Sequence, residues 1–418
     1  MKVVKNSFIY LGSSFFSKAI PFLMLPILTK YLSPEDYGVL SIFTIFTTIY
    51  IAFIGMSMGN NISRNFFKLS KSRLSLIIGN IVYILIFNTL LFLTISYIIW
   101  LLYESFFSIP SWLLLLVPVL SFMQMFNVLN LTILRNEQRA FVFGLFEIML
   151  VIVTVSLTLL FLVFYECGWI SQVYAVFIAS FLFFIVGFVY MSKRGYLKFI
   201  FSQKRIKSIV KTSAPFVPHS LGGLIIVASD RLFIEKMIGL EATGLYAIGY
   251  SFGAIVIIFS DAFIKAWSPW FYEQLTFITK EKKLSIVKYT YMYIVGIFIL
   301  ATVVSVAAKL ILPYMVDSRY LDADKFIVWI ALNYAIRGVY QIFFPYLVYL
   351  NKTEFLAIST AVSAILNLIF NYFFIKSFGA VGATYATIVA FAASAFMVYW
   401  YQKKNYYMPW LLRNKNEE

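Results

Sequence analysis

Three positively charged residues, Lys18, Arg231 and Arg337, lie within long apolar segments, where an unpaired charge is unfavourable. Lys18 and Arg337 fall near the middle of their segments, and Arg231 lies toward one end of its own. Charged residues inside a bilayer are rare, and they commonly mark ligand or ion pathways. Ammonium and guanidinium groups bind phosphate oxygens strongly. These residues therefore predict a positively charged cavity for a phosphate-bearing ligand.

Neutral polar residues follow these segments at helical spacing. Asn333, Arg337 and Gln341 are four residues apart, which places them on one face of a helix. Two further stripes step by four and by three residues: Ser359, Ser363, Asn367 and Asn371, and Ser121, Gln124, Asn127 and Asn130. The residues that we predict to line the cavity with the three cations are Asn127, Asn333, Gln341, Asn367 and Asn371. The alternative is that such side chains only join neighbouring helices through hydrogen bonds.

The acidic residues of these segments are candidates for a coupling ion. They are Asp230, Asp261 and Glu147. Alternatively, Asp261 and Glu147 pair with basic residues at the membrane rim, and Asp230 makes structural contacts at the end of its helix. His219, the single histidine, follows two prolines and is a candidate cavity or proton site, although a lone histidine is more often simply packed.

The elements that position these residues are apolar runs, each long enough to cross a bilayer. The chain is 62% hydrophobic and 12% charged, with a mean hydropathy of +0.87. A spanning helix needs about 20 apolar residues, and its backbone must satisfy its own hydrogen bonds. We predict twelve helical spans, at residues 8–29, 38–59, 76–102, 112–134, 142–164, 172–191, 213–235, 244–265, 289–311, 326–350, 355–375 and 380–401.

The net charge of +16 follows this topology. With both termini in the cytoplasm, the connections on that side hold 24 Lys and Arg residues and those on the other side hold 6. This asymmetry predicts cytoplasmic termini and basic loops facing anionic membrane lipids, so the charge is not a nucleic-acid signal. The longest outer connection is predicted at Leu312–Lys325.

An internal repeat divides the chain into two halves. Lys30, Glu35, Gly38 and Ile42 recur 206 positions later as Lys236, Glu241, Gly244 and Ile248. Gly168, Tyr174, Ala175 and Ala179 recur 211 positions later as Gly379, Tyr385, Ala386 and Ala390. We predict an N-terminal six-helix lobe at 1–195, a basic cytoplasmic linker at 196–212, a C-terminal six-helix lobe at 213–402 and a cytoplasmic tail at 403–418. Transporters commonly bind substrate between such repeats.

The sequence carries no enzyme signature. It has no His-rich metal spacing, no Gly-Lys-Ser phosphate loop and no nucleophile elbow, and Cys167 is its single cysteine. We therefore predict no catalytic residues, no metal site and no cofactor. The fold class is an all-α integral membrane protein with two six-helix lobes around a central cavity.

The segment Ala19–Gly38 (AIPFLMLPILTKYLSPEDYG) resembles the opening of Wzx-type polysaccharide flippases, members of the superfamily that includes multidrug extruders and the lipid II flippase. Further matching stretches follow in order along the chain: Ser229–Ile234 with Gly239, Thr243–Ala247, Lys265–Glu273, and Asn371 with Phe378–Ala383. The resemblance implies a MATE-like fold. It also implies ion-coupled, alternating-access transport of undecaprenyl-pyrophosphate-linked oligosaccharides to the periplasmic leaflet of the bacterial inner membrane, for O-antigen or capsule.

The resemblance also suggests the polymerase and chain-length regulator of the same pathway as partners, besides membrane lipids. Two alternative functions remain open at this point. A multidrug extruder of the same superfamily would need acidic groups for its cationic cargo, and Lys18 argues against it. A membrane O-antigen polymerase would carry a long periplasmic loop, which the predicted connections do not provide.

Overall fold

The structure is a computed structural model that describes residues 2–214, 217–276, 278–350 and 352–410, except for the side chains of 2–8, 11, 14, 217–221 and 353. Sixteen α-helices make up most of this part of the chain. They are α1 (Lys2–Leu23), α2 (Leu25–Tyr31), α3 (Pro34–Gly55), α4 (Met58–Phe66), α5 (Lys71–Leu102), α6 (Leu113–Asn136), α7 (Ala140–Leu159), α8 (Ile170–Lys193), α9 (Gln203–Ser213), α10 (Val217–Met237), α11 (Leu240–Gly253), α12 (Ile255–Thr276), α13 (Lys280–Met315), α14 (Asp324–Tyr349), α15 (Thr353–Phe378) and α16 (Val381–Asn405).

Nine helical segments in the described part of the chain are long and apolar enough to span a membrane, and the bent pair of α11 and α12 makes a tenth. The predicted count of twelve is therefore not exact by this measure. The predicted spans 8–29 and 213–235 correspond to α1 with α2 and to α10. Helix α10 carries four charged residues near its C-terminal end (Asp230, Arg231, Glu235 and Lys236), which lower its hydropathy.

Local sequence signals explain where several helices begin and break. Ser33 accepts a hydrogen bond from the Asp36 backbone N–H and Asp36 accepts one from that of Ser33, which together cap the start of α3. Proline lies at both sides of the break between α1 and α2, as Pro21 and Pro26. Helices α11 and α12 are bent by about 40° at their junction.

The chain divides into two compact units, Met1–Leu224 and Ile225–Glu418. In the first unit, α6 packs against α3, α5 and α8, and α7 packs against α1 and α8. In the second unit, α14 packs against α11, α13 and α16, and α15 packs against α16. In chain order, α6 with α3, α5 and α8 corresponds to α14 with α11, α13 and α16, and α7 with α8 corresponds to α15 with α16.

The segment that joins the halves is held against α5 of the first unit. Asn80 donates from Nδ2 to the Ile200 carbonyl at 3.0 Å, and its Oδ1 accepts from the Ser202 backbone N–H at 3.0 Å. A Cβ atom on Gly79 would collide with the Lys198 carbonyl, so this close approach requires glycine. The predicted linker thus packs as part of the first unit, and the division between the units falls within α10.

Three connections contain structure that periodicity alone did not predict. The two-residue strands β1 (Ser105–Phe106) and β2 (Ile109–Pro110) pair in antiparallel fashion. A π-helical turn, Leu160–Phe164, extends α7. Helix α13 and a 3-10 helix, Ser318–Ala323, occupy most of the connection that was predicted as an outer loop.

Candidate functional site

Two of the predicted cations, Arg231 and Arg337, belong to one cluster in the second unit. The Arg231 Cζ atom lies 4.3 Å from the centre of the Tyr250 ring. The Arg337 Cζ atom lies 5.9 Å from the centre of the Tyr334 ring and equally far from that of Phe391. The Tyr334 hydroxyl donates a hydrogen bond to the Tyr250 hydroxyl. We call Arg231, Tyr250, Tyr334 and Arg337 the arginine–tyrosine cluster.

The described residues supply no ion pair that neutralises the positive charge of this cluster. Among the described residues, neither guanidinium lies within 4.0 Å of a carboxylate oxygen. The Nε atom of Arg231 is buried and has no hydrogen-bond partner in the described part of the chain. Aromatic faces attract a guanidinium by roughly 1–2 kcal/mol, but they offer no oxygen acceptors. The guanidinium groups of the cluster can therefore donate hydrogen bonds to an anion.

Asp230, the residue before Arg231, is the centre of a buried polar network. The carboxylate is 2% exposed. Tyr246 and Thr387 donate to its Oδ2 atom at 2.6 and 2.7 Å. Asn371 and Asn367 donate from Nδ2 to its Oδ1 atom at 3.0 and 3.4 Å. Helices α10, α11, α15 and α16 thus meet at one carboxylate, which has only neutral donors around it.

The oxygen atoms around Asp230 give this network the character of a small cation or proton site. Ser229 donates to Asn367 Oδ1 at 2.5 Å, and Asn371 Oδ1 is buried without a partner among the described residues. A buried carboxylate with four neutral hydrogen bonds still carries the desolvation penalty of its charge. A proton or a monovalent cation would remove that penalty. In the described part of the chain, no group of three or more His, Cys, Asp and Glu side chains could hold a metal ion.

Asp261 and Gln341 form a second polar group. Gln341 donates from Nε2 to Asp261 Oδ1 at 2.8 Å and accepts from the Ser260 hydroxyl through Oε1 at 2.7 Å. Ser260 and the Tyr293 hydroxyl are 2.6 Å apart. This group joins α12, α13 and α14 and lies one helical turn along α14 from Arg337.

Two of the site residues predicted in the first unit, Glu147 and Asn127, form hydrogen bonds to different neighbouring helices. Glu147 accepts from the Ser13 hydroxyl at 2.9 Å, between α7 and α1. Asn127 donates to the Ser180 carbonyl at 3.3 Å, which joins α6 to α8. Lys18 has an exposed side chain on α1. Its contribution to the same positive centre as the arginines stays a prediction.

A neutral polar cavity of about 280 Å³ lies in the first unit between α3, α6 and α8. Its polar lining consists of Thr44, Thr47, Thr48, Gln124 and Gln172, and the rest is apolar. The threonines donate their hydroxyls to carbonyls of their own helix, as Thr44 does to Leu40 at 2.8 Å, which leaves oxygen acceptors toward the cavity. The described lining therefore suits an uncharged ligand that is rich in hydroxyl groups.

Two of the predicted residues remain outside these groups. Asn333 is 3% exposed, and its Oδ1 atom has no partner in the described part of the chain. His219 lies among the residues whose side chains are not described. The sequence did not single out Tyr246, Tyr250, Tyr334 or Thr387. A usable signal existed for the first two, since they lie four residues apart on α11.

The fold is shared with transporters of the MOP superfamily. The inward-facing conformation of a multidrug resistance MATE family transporter of that superfamily matches with a TM-score of 0.70 and 14% identity, over 97% of this chain and 98% of the other. The lipid II flippase MurJ in its inward closed conformation matches with a TM-score of 0.69 and 16% identity, over 96% of this chain and 87% of the other. This chain is accordingly a multi-pass, all-α membrane protein with a MATE-like fold.

Relatives at the sequence level come from Haemophilus influenzae. "Lsg locus putative protein 1" is 24% identical over 375 residues, which cover 88% of this chain and 90% of the relative. An "uncharacterized membrane protein" is 24% identical over 372 residues. The model of the polysaccharide biosynthesis protein family matches residues 3–274, and the chain belongs to that family. The resemblance to Wzx-type flippases is thus confirmed at the level of family and fold.

Proposed function

We propose that this protein flips undecaprenyl-pyrophosphate-linked oligosaccharide repeat units from the cytoplasmic to the periplasmic leaflet of the bacterial inner membrane. The cargo has a diphosphate, an uncharged or weakly charged glycan and a polyprenyl chain. Transport proceeds by alternating access of the two lobes to the two sides, coupled to an ion gradient. Both termini lie in the cytoplasm. Membrane lipids surround the protein, and the polymerase and chain-length regulator of the pathway are candidate partners.

The arginine–tyrosine cluster is the observation that carries this proposal. Two guanidinium groups without a carboxylate partner among the described residues supply planar pairs of N–H donors. A diphosphate offers the matching oxygen acceptors, and hydrogen bonds between charged groups contribute about 1.5–3 kcal/mol each. A cationic drug would be repelled by the same cluster, which disfavours the multidrug alternative.

The first unit contains a cavity whose chemistry suits the glycan end of the cargo. The neutral cavity lined by Thr44, Gln124 and Gln172 presents hydroxyl and amide groups without charge. Such groups both donate to and accept from sugar hydroxyls. We assign this cavity to part of the oligosaccharide, and Lys18 on α1 to a further contact with the diphosphate.

The Asp230 network supports the coupling step. A single buried carboxylate surrounded by hydroxyl and amide oxygens can exchange a proton or bind a monovalent cation such as sodium. Arg231 is the next residue along α10. A change in charge at Asp230 therefore acts directly on the electrostatic field that holds the diphosphate. Asp261 and Glu147 stay secondary candidates, because neither is adjacent in the chain to a residue of the arginine–tyrosine cluster.

The proposal is tested by deleting the gene and locating the lipid-linked glycan that accumulates. We expect complete repeat units on undecaprenyl pyrophosphate in the cytoplasmic leaflet, with loss of surface polysaccharide, and restoration of both by the wild-type gene. Intact protein purified into vesicles should move the isolated lipid-linked glycan across the bilayer. Accumulation in the periplasmic leaflet would instead point to a polymerase, and unchanged lipid-linked glycans with altered drug resistance would point to an extruder.

A further inference from the structure

A large groove lies on the second unit between α12 and α13. Its volume is about 630 Å³, and it is walled mainly by aromatic side chains. Phe263 stacks on Tyr293 with ring centres 4.4 Å apart, and Trp267 lies 5.0 Å from Trp270. Trp270 meets Tyr289 edge-on at 5.5 Å. These contacts form a continuous wall from one helix to the other, which we call the aromatic groove.

Gly296 keeps the aromatic groove open on the α13 side. It lines the groove, and a Cβ atom built on it would meet no atom within 4 Å. A glycine within a helix is unfavourable by roughly 0.5–1 kcal/mol relative to alanine. No packing contact among the described residues requires glycine at position 296. The missing side chain leaves space that a ligand can fill.

One wall of the groove is connected to the arginine–tyrosine cluster through side-chain hydrogen bonds and helix α14. The Tyr293 ring lines the groove, while its hydroxyl is 2.6 Å from the Ser260 hydroxyl. Ser260 donates to Gln341, which follows Arg337 by one turn of α14. Residues four apart on a helix are neighbours, with about 5–6 Å between their Cβ atoms. An apolar groove and a positive cluster therefore lie on connected faces of one unit.

One end of the groove points toward the connection between its two helices. The groove runs from Phe259 to Trp270 on α12 and from Tyr289 to Leu300 on α13. Trp270 and Tyr289 are its residues nearest that connection. The start of α13 carries Lys280, Lys282 and Lys283. Under the orientation that the basic residues predict, this end faces the cytoplasm. The groove would then open in the leaflet from which the cargo is loaded.

We propose that the aromatic groove binds the polyprenyl chain of the lipid-linked cargo while the arginine–tyrosine cluster binds its diphosphate. This inference rests on the proposed function and adds a second binding site to it. A branched, unsaturated chain fills a broad aromatic slot and buries apolar surface there. The volume falls in the range of roughly 300–1,000 Å³ that is typical of ligand sites. The adjoining positive charge favours a chain that carries an anionic head.

The test is photo-labelling of the intact protein in phosphatidylglycerol-containing nanodiscs with a polyprenyl phosphate that carries a diazirine in its chain. We expect labelled peptides to come mainly from α12 and α13, and excess unlabelled polyprenyl phosphate to suppress the labelling. Additional phosphatidylglycerol should leave the labelling of α12 and α13 unchanged. Equal labelling of other lipid-facing helices such as α5, or equal competition by phosphatidylglycerol, would show an ordinary lipid contact and overturn the inference.

Gly296→Phe fills the groove and should reduce its labelling by roughly tenfold. Ile299→Phe is the matched control, because Ile299 is 59% exposed on α13 and does not line the groove. The control should change the labelling less than about twofold. Gly296→Leu is a milder second variant, with size-exclusion behaviour checked for both. Normal labelling in two well-folded groove variants would contradict the inference.

Failure of this inference and failure of the proposed function give different results. If labelling avoids the groove while Arg337→Ala still blocks translocation of lipid-linked glycan, the groove inference is wrong and the proposed function stands. If unlabelled polyprenyl phosphate suppresses labelling of the groove but the protein moves no lipid-linked glycan, the groove is a polyprenyl phosphate site and the proposed function is wrong.

Discussion

The two units share an order of helices but differ in the charge at corresponding positions. The offset of 206 that relates the repeats places Leu25 at the position of Arg231, and Met24 at that of Asp230. Leu40 and Thr44 take the positions of Tyr246 and Tyr250. Both Met24 and Leu25 are buried in the first unit. The helices that hold a charged network in one unit are therefore packed with apolar residues in the other.

The second offset, 211, extends this comparison. It places Val176 at the position of Thr387, which donates to Asp230. Leu40, Thr44 and Val176 all line the neutral cavity of the first unit. One unit thus has a neutral cavity where the other has a carboxylate with four donors. We propose that the second unit binds the coupling ion and most of the charged head, with Lys18 as a further contact, and that the first unit binds uncharged parts of the cargo.

The largest expected effect comes from removing the positive charge of the second unit. Arg337→Ala combined with Arg231→Ala should reduce translocation by more than about 100-fold, because several charge-assisted hydrogen bonds to the diphosphate are lost. Arg337→Lys keeps the charge but loses the paired donors, and should restore only part of the activity. The measurement is transport of lipid-linked glycan in vesicles, together with surface polysaccharide in cells.

Arg319→Ala is the control for this pair, because Arg319 forms an ion pair with Asp317 outside the long helices. It should leave transport within about twofold of the wild type. If the double alanine variant transports at the wild-type rate, the cluster is not needed for transport.

Lys18→Ala tests how much the first unit contributes to the positive charge that binds the diphosphate. We expect a smaller loss of transport than in Arg337→Ala.

Moving the charge into the first unit should prevent stable folding. Leu25 is 3% exposed, and no Tyr occupies the positions equivalent to Tyr246 and Tyr250. In Leu25→Arg the buried guanidinium lacks partners, at a cost of about 3–5 kcal/mol. Thermal unfolding and yield of the detergent-extracted protein measure this. Leu25→Met keeps the volume and should change stability by less than about 1.5 kcal/mol. An arginine variant as stable as wild type would show that the two units tolerate charge equally.

A smaller, more specific loss is expected from the carboxylates. Asp230→Asn keeps the shape but removes the charge, so transport should become insensitive to the coupling gradient and fall by about tenfold. Glu147→Gln is the comparison in the first unit, and it should retain gradient dependence. Collapsing the proton and the sodium gradients separately shows which ion is used. Gradient-dependent transport by Asp230→Asn would exclude Asp230 as the coupling site.

The sequence predicted the fold class correctly, because apolar length and helical spacing are local properties. The site residues stay a prediction. Asn367 and Asn371 were assigned to one face of a helix, and both contact Asp230. The meeting of α10, α11, α15 and α16 at that carboxylate depends on tertiary packing, which spacing does not contain. For this reason it stays a prediction that these residues line a cavity, although the structure shows them in contact with one another.

Sequence signals for the tyrosines were weak or absent. Tyr246 and Tyr250 share a spacing of four residues on α11, whereas nothing in the local sequence separates Tyr334 from the rest of the 29 tyrosines. The sequence predicted a span at 213–235, but α10 is not among the described helices that are long and apolar enough to cross a membrane. Its four charged residues lower its hydropathy. Pairing of Asp261 with a rim cation such as Lys265 was a reasonable alternative, but Gln341 is the partner that the structure provides.

The smallest effect that still separates the two units comes from a single hydroxyl in the neutral cavity. Thr44→Val removes a cavity oxygen without changing side-chain volume, and it should slow transport of the lipid-linked glycan by about two- to fivefold. Binding of undecaprenyl pyrophosphate without sugar should not change, because Thr44 is not among the residues assigned to the diphosphate. Thr94→Val is the matched control, since Thr94 is also exposed and donates to its own helix but lies outside the cavity. If Thr44→Val and Thr94→Val behave alike with the complete glycan, or if Thr44→Val weakens the sugar-free lipid as much as the glycan, the first unit does not bind the sugar.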